Sequence, residues 1–407
     1  MSLTLAEASL AHSRPRRVLI ATDTYPPDVN GAAYFTHRLA SGLAARGTEV
    51  HVVCSSDDGP PVTDVIEGVL VHRLRSARLL VHPTMRFTVP AGLGRTMDRL
   101  VRRIAPDVVH TQGHFVVGRS AVAAAKRAGL PVVATNHFMP DNLFQFTGVP
   151  NRLRRRVGEL AWKDLNRIFE RADHVTTPTP LAAGLLSAKG LRKKVEPVSC
   201  GIDLSRFHPQ PQAWARRRFG VPERPTILFV GRLDEEKHLE EIVLALPKLL
   251  NDLDCQAVFV GQGNRRETLE KLAHRVGAGD HVRFLGFVED ADLPQAYAVA
   301  DVFCMPGTAE LQSIATLEAM ASGLPVVAAD AMALPHLVEG NGHLYTPGDV
   351  SELARHLKSV LTQPEERAAM SKASLTLAAT HTHEQSLARF ESIYGELVHR
   401  APISAVH

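Results

Sequence analysis

Short apolar runs alternate with stretches of helical period along nearly the whole 407-residue chain. Arg17 to Asp23 reads as a strand. It breaks into a loop carrying Pro26, Pro27 and Gly31, then a helix that runs through Ala45 and stops at Gly47. Val50 to Cys54 is a second strand, and Arg95 to Arg103 a helix that ends ahead of Pro106. Asp107 to His110 is a strand closing into Thr111-Gln112-Gly113-His114-Phe115, and a helix through Arg127 leads to the next run, Pro131 to Pro140. Ala172 to Thr176 continues the alternation. A second series follows: Pro225 to Val230, Cys255 to Val260, Val282 to Val288, Ala300 to Pro306 and Leu324 to Ala329 read as strands, with helices to about Val398. Repeated strand–helix units predict α/β architecture, with parallel sheets covered on both faces and ligands at the carboxyl ends of the strands. His110 and His137 both end strands in this reading, so both are expected at such a rim.

The chemistry concentrates around Ala309 to Ala328. Ser313 can cap a helix whose apolar positions Ile314, Leu317, Met320 and Ala321 lie three or four residues apart, and Gly323 ends it. Glu310 then sits in the loop before the helix and Glu318 inside it. Eight residues along one helix turn about 800°, roughly 80° off register, so the two carboxylates do not stack. They can instead grip two parts of one extended ligand, while the free N–H groups at the helix start suit an anion such as a phosphate. Glu318 taken alone could equally be a solvated helix carboxylate.

Composition bounds the answer without naming it. The chain is long enough for two domains with separate cores. No apolar run approaches the ~18–20 residues of a membrane span, and Met1 to Arg17 lacks the pattern of a secretory signal, so a cytoplasmic protein is expected. Cys54, Cys200, Cys255 and Cys304 are scattered without a C-x-x-C and read as buried thiols. Charge is asymmetric: residues 1–200 hold 27 Lys and Arg against 16 Asp and Glu, residues 201–407 hold 19 against 27. A basic first half suggests a directed electrostatic task.

Gly231 opens a loop in which Arg232 and Lys237 can neutralise a diphosphate, one as a planar fork and one as a point charge. The alternative is a surface Arg and Lys paired with Asp234 and Glu235. The loop from Thr24 to Tyr34 brings Gly31 and backbone amides to a helix start, yet it is not the G-x-G-x-x-G of dinucleotide folds. Asp252-Leu253-Asp254 and Asp290-Ala291-Asp292 have a D-x-D form, but neither adjoins the donor-type motifs, so no metal and no cofactor is expected.

Together these motifs resemble retaining glycosyltransferase family 4. Glu310 to Glu318 followed by Ala-Met-Ala-Ser-Gly-Leu-Pro-Val-Val-Ala is similar to its E-x7-E signature. Gly231-Arg232 with Lys237 resembles its G-R-x-x-x-x-K, and Pro26-Pro27 with Gly31 its P-P-x-x-G-G, in which Ala32 stands for the second glycine. The match runs from about residue 16 to 400. The resemblance implies the GT-B fold: two Rossmann-like doubly wound parallel-sheet domains facing a central cleft. It places a flexible tail at 1–15, the acceptor domain at 16–203, the donor domain at 204–382, and a closing helix at 383–400 that crosses back to the first domain. The join near Gly201-Ile202-Asp203 departs from the family in having Cys200 for asparagine.

The resemblance also implies roles. His137, Glu310, Arg232 and Lys237 would be catalytic, with Glu310 and His137 positioning the hexose from opposite domains. Gly31, Gly231, Gly263, Phe287, Val288, Leu311, Gln312, Ser313 and Glu318 would bind the donor, Glu318 through its ribose. Asn30, Ala32, His110, Met139, Arg154 and Arg155 would lie toward the acceptor or a membrane. The expected reaction is metal-independent transfer of a hexose, with retention, from a UDP- or GDP-hexose to a hydroxyl. Leu311-Gln312-Ser313 and Asn136-His137-Phe138-Met139-Pro140 are closest in style to the diacylglycerol glucosyltransferase and phosphatidylinositol mannosyltransferase-like branch. A lipid acceptor such as diacylglycerol is then in view, and the basic, partly apolar segments Arg73 to Arg86 and Arg152 to Arg156 could rest on an anionic membrane. A solvated arginine-rich face is the competing reading of those segments. A soluble acceptor, a nucleotide-sugar epimerase of the same fold and an inactive binding module remain the alternatives.

Overall fold

Parallel strands covered by helices must be apolar on both faces, and the strands found here are: Val18 to Ala21 and Val132 to Ala134 have no exposed surface. The computed structural model describes residues 15–28, 30–78, 86–140 and 151–400, the side chains of 151 and 152 excepted. The chain divides into two units, one of residues 1–199 with 386–407 and one of residues 200–385.

The first unit contains β1 (Arg17–Ala21), α1 (Gly31–Ala45), β2 (Glu49–Ser55), β3 (Val62–Ile66), β4 (Val69–Leu74), β5 (Ser76–Arg78), β6 (Arg86–Thr88) and α2 (Leu93–Ile104). It continues with β7 (Val108–Thr111), α3 (Val116–Arg127), β8 (Val132–Thr135), α4 (Asn151–Phe169), β9 (His174–Thr177), α5 (Pro180–Ala188) and β10 (Val195–Pro197). Eight strands form one sheet in the order β10-β9-β8-β7-β1-β2-β4-β3, and β5 pairs with β6 separately. Every pairing in the large sheet is parallel except β3 with β4. The order reverses between β1 and β7, which is where such sheets bind ligands.

The second unit repeats the plan with α6 (Gln212–Phe219), β11 (Thr226–Val230), α7 (Glu240–Leu250), β12 (Gln256–Val260), α8 (Arg266–Arg275), β13 (Val282–Gly286), α9 (Leu293–Tyr297) and β14 (Val302–Met305). Then come α10 (Ile314–Ala321), β15 (Val326–Ala329), β16 (Gly342–Tyr345), α11 (Val350–Thr362) and α12 (Pro364–Ala378). Its sheet is parallel, in the order β13-β12-β11-β14-β15-β16, so its switch point lies between β11 and β14. A last helix, α13 (His383–Arg400), buries Leu387, Phe390, Ile393 and Tyr394, and from Ser386 onward it belongs to the first unit.

Two features add to what the sequence predicts and a third corrects it. The β3–β4 hairpin turns at Glu67 and Gly68, both with positive φ, the geometry of a two-residue hairpin turn. Its first strand is mostly exposed, so it lacks the apolar run by which the others are recognised. The segment around Arg152 to Arg156 begins a 19-residue helix, α4. Arg73 belongs to no membrane-facing surface: it is buried on β4, its Nη2 donates to the Pro26 carbonyl at 2.7 Å, and Asp57 and Asp64 lie 3.6 Å from its guanidinium. Alternation along β4 turns this side chain inward, where two carboxylates and a carbonyl compensate its charge. Leu79 to Met85, in the same basic segment, lie outside the described residues.

Candidate functional site

In the second unit, adjacent strands bring the two acid–base motifs together. β11 and β14 are hydrogen-bonded neighbours, with Leu228 opposite Phe303, so the loops leaving their carboxyl ends run side by side. One carries Gly231, Arg232 and Lys237, the other Glu310. Lys237 Nζ is bonded to the Glu310 carboxylate, and both side chains are largely enclosed. Arg232 pairs with Asp234 and, at 3.0 Å, with Glu236, which also lies 3.9 Å from Lys237. The two cations are therefore held by three carboxylates, Asp234, Glu236 and Glu310. Asp234 is the partner expected from the sequence, whereas Glu236 stands where Glu235 was expected.

Backbone packing sets this loop. A Cβ on Gly263 would stand 2.4–2.6 Å from the backbone of Leu233, and one on Gly261 would stand 2.0 Å from the carbonyl oxygen of Gly231. Gly231 itself has φ +148°, which disfavours any other residue. Small residues thus let the Arg232 loop lie directly on its neighbour, and Leu233 N–H donates to the Gln262 carbonyl at 2.9 Å.

The helix after Glu310 begins as its sequence predicts, with Ser313 Oγ accepting from Thr316 N–H at 3.3 Å. The residues around it are less open than direct contact with a ligand would imply. Leu311, Gln312 and Ser313 are buried, and Gln312 Oε1 accepts from the Cys200 N–H at 2.7 Å. Glu318 is 4 % exposed, its Oε2 accepting from the Tyr297 hydroxyl at 2.7 Å, so it is not a solvated helix carboxylate. Phe287 is 50 % exposed, while Val288 packs partly on the core. Asp252, Asp254, Asp290 and Asp292 pair with Lys358, Arg224, Arg206 and Arg218 respectively.

In the first unit, Asn30 caps α1 by accepting from Ala33 N–H at 2.9 Å, leaving Gly31 exposed at the first turn and Ala32 half-buried behind it. His137 lies two residues beyond β8. Its Nε2 is 2.9 Å from Gln112 Oε1 and its ring packs 4.6 Å from that of Phe35. Enclosure of the ring pushes its pKa down to about 3, so it is neutral at ordinary pH.

Two expectations for this rim need correcting. His110 does not reach it. The residue is fully buried inside β7, its ring between Thr135 Oγ1 (2.6 Å) and Tyr394 OH (2.7 Å), because strand alternation turns it onto the sheet face that α13 covers. Burial pushes its pKa down to about 3 as well. Met139 is also buried rather than presented to an acceptor. His114 is an aromatic core residue against Phe115 and Phe138, and burial pushes it down to about 4. Arg154 and Arg155 stand exposed on α4, Arg155 3.9 Å from Glu159.

Three residues carry structure that motif spacing did not reveal. Gln112 contacts His137. Glu236 bridges the cations. Asp23, raised by burial to about 6, accepts from Val117 N–H at the start of α3. Gln112 and Asp23 follow strands at the switch point, which was the available signal.

Among the described residues no group of three or more His, Cys, Asp or Glu could hold a metal ion, and no helix is long and apolar enough to cross a membrane.

Comparison with known proteins gives a consistent result. Residues 29–206 match the family model "Glycosyltransferase Family 4" and residues 213–376 match "Glycosyl transferases group 1". Sulfoquinovosyl transferase SQD2 of Arabidopsis thaliana is 30 % identical over 385 residues, covering 89 % of this chain and 70 % of that protein. A GDP-mannose-dependent alpha-(1-6)-phosphatidylinositol monomannoside mannosyltransferase of Mycobacterium tuberculosis is 31 % identical over 339 residues, 80 % of this chain and 83 % of that one. Among solved structures, sucrose-phosphate synthase from Thermosynechococcus elongatus superimposes with a TM-score of 0.77 at 21 % identity, covering 94 % of this chain and 98 % of that chain. At that identity the likeness shows the fold, GT-B, and nothing finer.

Proposed function

Because the chain belongs to glycosyltransferase family 4, we propose that it moves a hexose, with retention and without a metal, from a UDP- or GDP-hexose to a hydroxyl acceptor. The observation that carries this reading is the convergence of Arg232, Lys237 and Glu310 at the switch point of the second unit. Breaking a sugar–phosphate bond builds negative charge on the departing diphosphate. Arg232, Lys237 and the amides at the start of α10 supply fixed positive charge for it, and such electrostatic stabilisation usually contributes most to lowering the barrier.

The carboxylate pairing gives the donor a definite entry step. A diphosphate that takes the place of Glu310 on Lys237 releases that carboxylate, which is then free to accept from sugar hydroxyls. In the transfer itself the acceptor oxygen bonds to the anomeric carbon on the face from which the diphosphate leaves. The sugar–phosphate bond breaks, and a donor phosphate oxygen takes the acceptor's proton. His137 is the first unit's substrate contact in this reading.

A lipid acceptor is supported by the surface of α4. Leu153, Val157 and Leu160 are 41, 39 and 65 % exposed at spacings of four and three residues, beside Arg154, Arg155 and Arg156. Such a row suits peripheral binding to an anionic bilayer. The Mycobacterium tuberculosis relative, named for phosphatidylinositol monomannoside, points the same way.

The test is a screen of UDP- and GDP-hexoses for donor hydrolysis and transfer, with and without anionic lipid vesicles. One donor class should turn over, faster with vesicles. Lys237→Ala and Glu310→Ala should each lower kcat/KM by about 10²–10³-fold with the melting temperature little changed. Near-normal turnover in either variant sinks the assignment, and release of a free epimerised nucleotide sugar would favour an epimerase instead.

A further inference from the structure

Four side chains of the first unit form a continuous polar chain: Thr135, His110, Gln112 and His137. The in-plane positions of the His110 ring are both taken by hydroxyls, Thr135 Oγ1 at Nε2 and Tyr394 OH at Nδ1. Gln112 Nε2 lies 3.3 Å from both ring nitrogens at once. An atom that close to both, with the in-plane positions filled, sits over the face of the ring. An amide N–H is attracted to that electron-rich face and an amide oxygen is repelled. The Gln112 amide is therefore oriented, with nitrogen over His110 and oxygen toward His137.

That oxygen can only accept. It lies 2.9 Å from His137 Nε2, so this nitrogen carries the ring's single proton and Nδ1 keeps its lone pair. None of the described residues bonds to Nδ1, and Phe35 holds the ring plane. Gln112 is itself buried, so the arrangement is not a surface rotamer.

We propose that Gln112 is a positioning residue that fixes His137 as its Nε2–H tautomer, so that His137 Nδ1 accepts a hydrogen bond from a substrate hydroxyl. The proposal rests on the reading of His137 as a substrate contact and narrows it. The group met there must donate a proton to the hydrogen bond, which a hydroxyl does and a phosphate or carbonyl oxygen does not.

Histidine-labelled protein tests this by long-range proton–nitrogen correlation spectra, the His137 signals being those lost in His137→Ala. The wild type should show the Nε2–H tautomer throughout pH 5–8. Gln112→Leu should give a tautomer mixture and lower kcat about tenfold, with KM changed less. Gln112→Glu keeps the size and the acceptor but places a carboxylate against the ring. It should produce an imidazolium at pH values where the wild type is neutral, and a kcat that falls toward acid pH through an ionisation the wild type lacks. An Nδ1–H tautomer in the wild type overturns the proposal, as do wild-type tautomer and kcat in Gln112→Leu. Full transfer by His137→Ala would overturn the substrate-contact reading instead, with the spectra still deciding the tautomer.

Discussion

A histidine sealed between two hydroxyls is a stability element with a definite pH dependence. His110 is held neutral in the fold, its pKa down at about 3, whereas in the unfolded chain it titrates near the ordinary value of roughly 6.5. Between those values the unfolded chain binds the proton and the folded one does not, so folding stability falls as pH drops through this window. The slope should approach about 1.4 kcal/mol per pH unit for this one residue. His110→Leu should start less stable, since Thr135 and Tyr394 lose a partner, yet show a flatter decline between pH 6.5 and 4 in chemical denaturation. An unchanged slope would mean that His110 is not held neutral by its burial. Motif spacing could not separate this residue from His137. Both stand near strand ends, and only the direction of alternation and the helix on the far face decide which one reaches the rim. Gln112 was hidden for a related reason, because its importance lies in what it faces rather than in its neighbours along the chain.

At the scale of elements, strong periodicity was legible and amphipathic ambiguity was not. β1, β7, β8, β11, β12, β14 and β15 are short apolar runs, and each is recognisable without any partner. α4 carries two apolar stripes instead. Gly158, Trp162, Leu165 and Phe169 form the buried one, while Leu153, Val157 and Leu160 lie roughly on the opposite side of the helix and stay exposed. A helix apolar on two sides, with arginines between, does not show in its sequence which apolar positions are buried. The exposed stripe yields an element-scale prediction. Replacing Leu153, Val157 and Leu160 with Ser should change folding stability by only about 0.5 kcal/mol each, as expected for surface positions. Binding to anionic vesicles should weaken severalfold, and Arg154→Gln with Arg155→Gln should remove roughly 1 kcal/mol per charge from the same binding. Flotation with anionic and neutral vesicles reads this directly, and equal binding by wild type and variants would leave α4 a solvated face.

Over the whole molecule, the first unit is assembled from two separated pieces of chain, and that makes α13 decisive. The family resemblance implies a closing helix there that returns to the first domain, whereas the apolar side formed by Leu387, Phe390, Tyr394 and Leu397 says only that a helix packs and not where. Its partners lie far back along the chain. Glu391 is 2.8 Å from Arg46, 345 residues away, Tyr394 reaches His110, Phe390 packs 5.9 Å from Phe35, and Arg389 meets Glu196 at 2.9 Å. The second unit, residues 200–385, has its own core and none of these contacts. Phe390→Ala should therefore cost about 3–5 kcal/mol, the usual range for a buried phenylalanine. That loss is large against the marginal stability of a single domain. Hydrogen exchange followed by peptide mapping should place the lost protection in residues 15–199 and leave 200–385 as protected as before. Truncation after Thr382 should carry this further, so that protease cleaves the first unit while a fragment spanning the second persists. Protection lost equally in both units would show that they fold as one cooperative block, and that α13 is more than the closing helix of one of them.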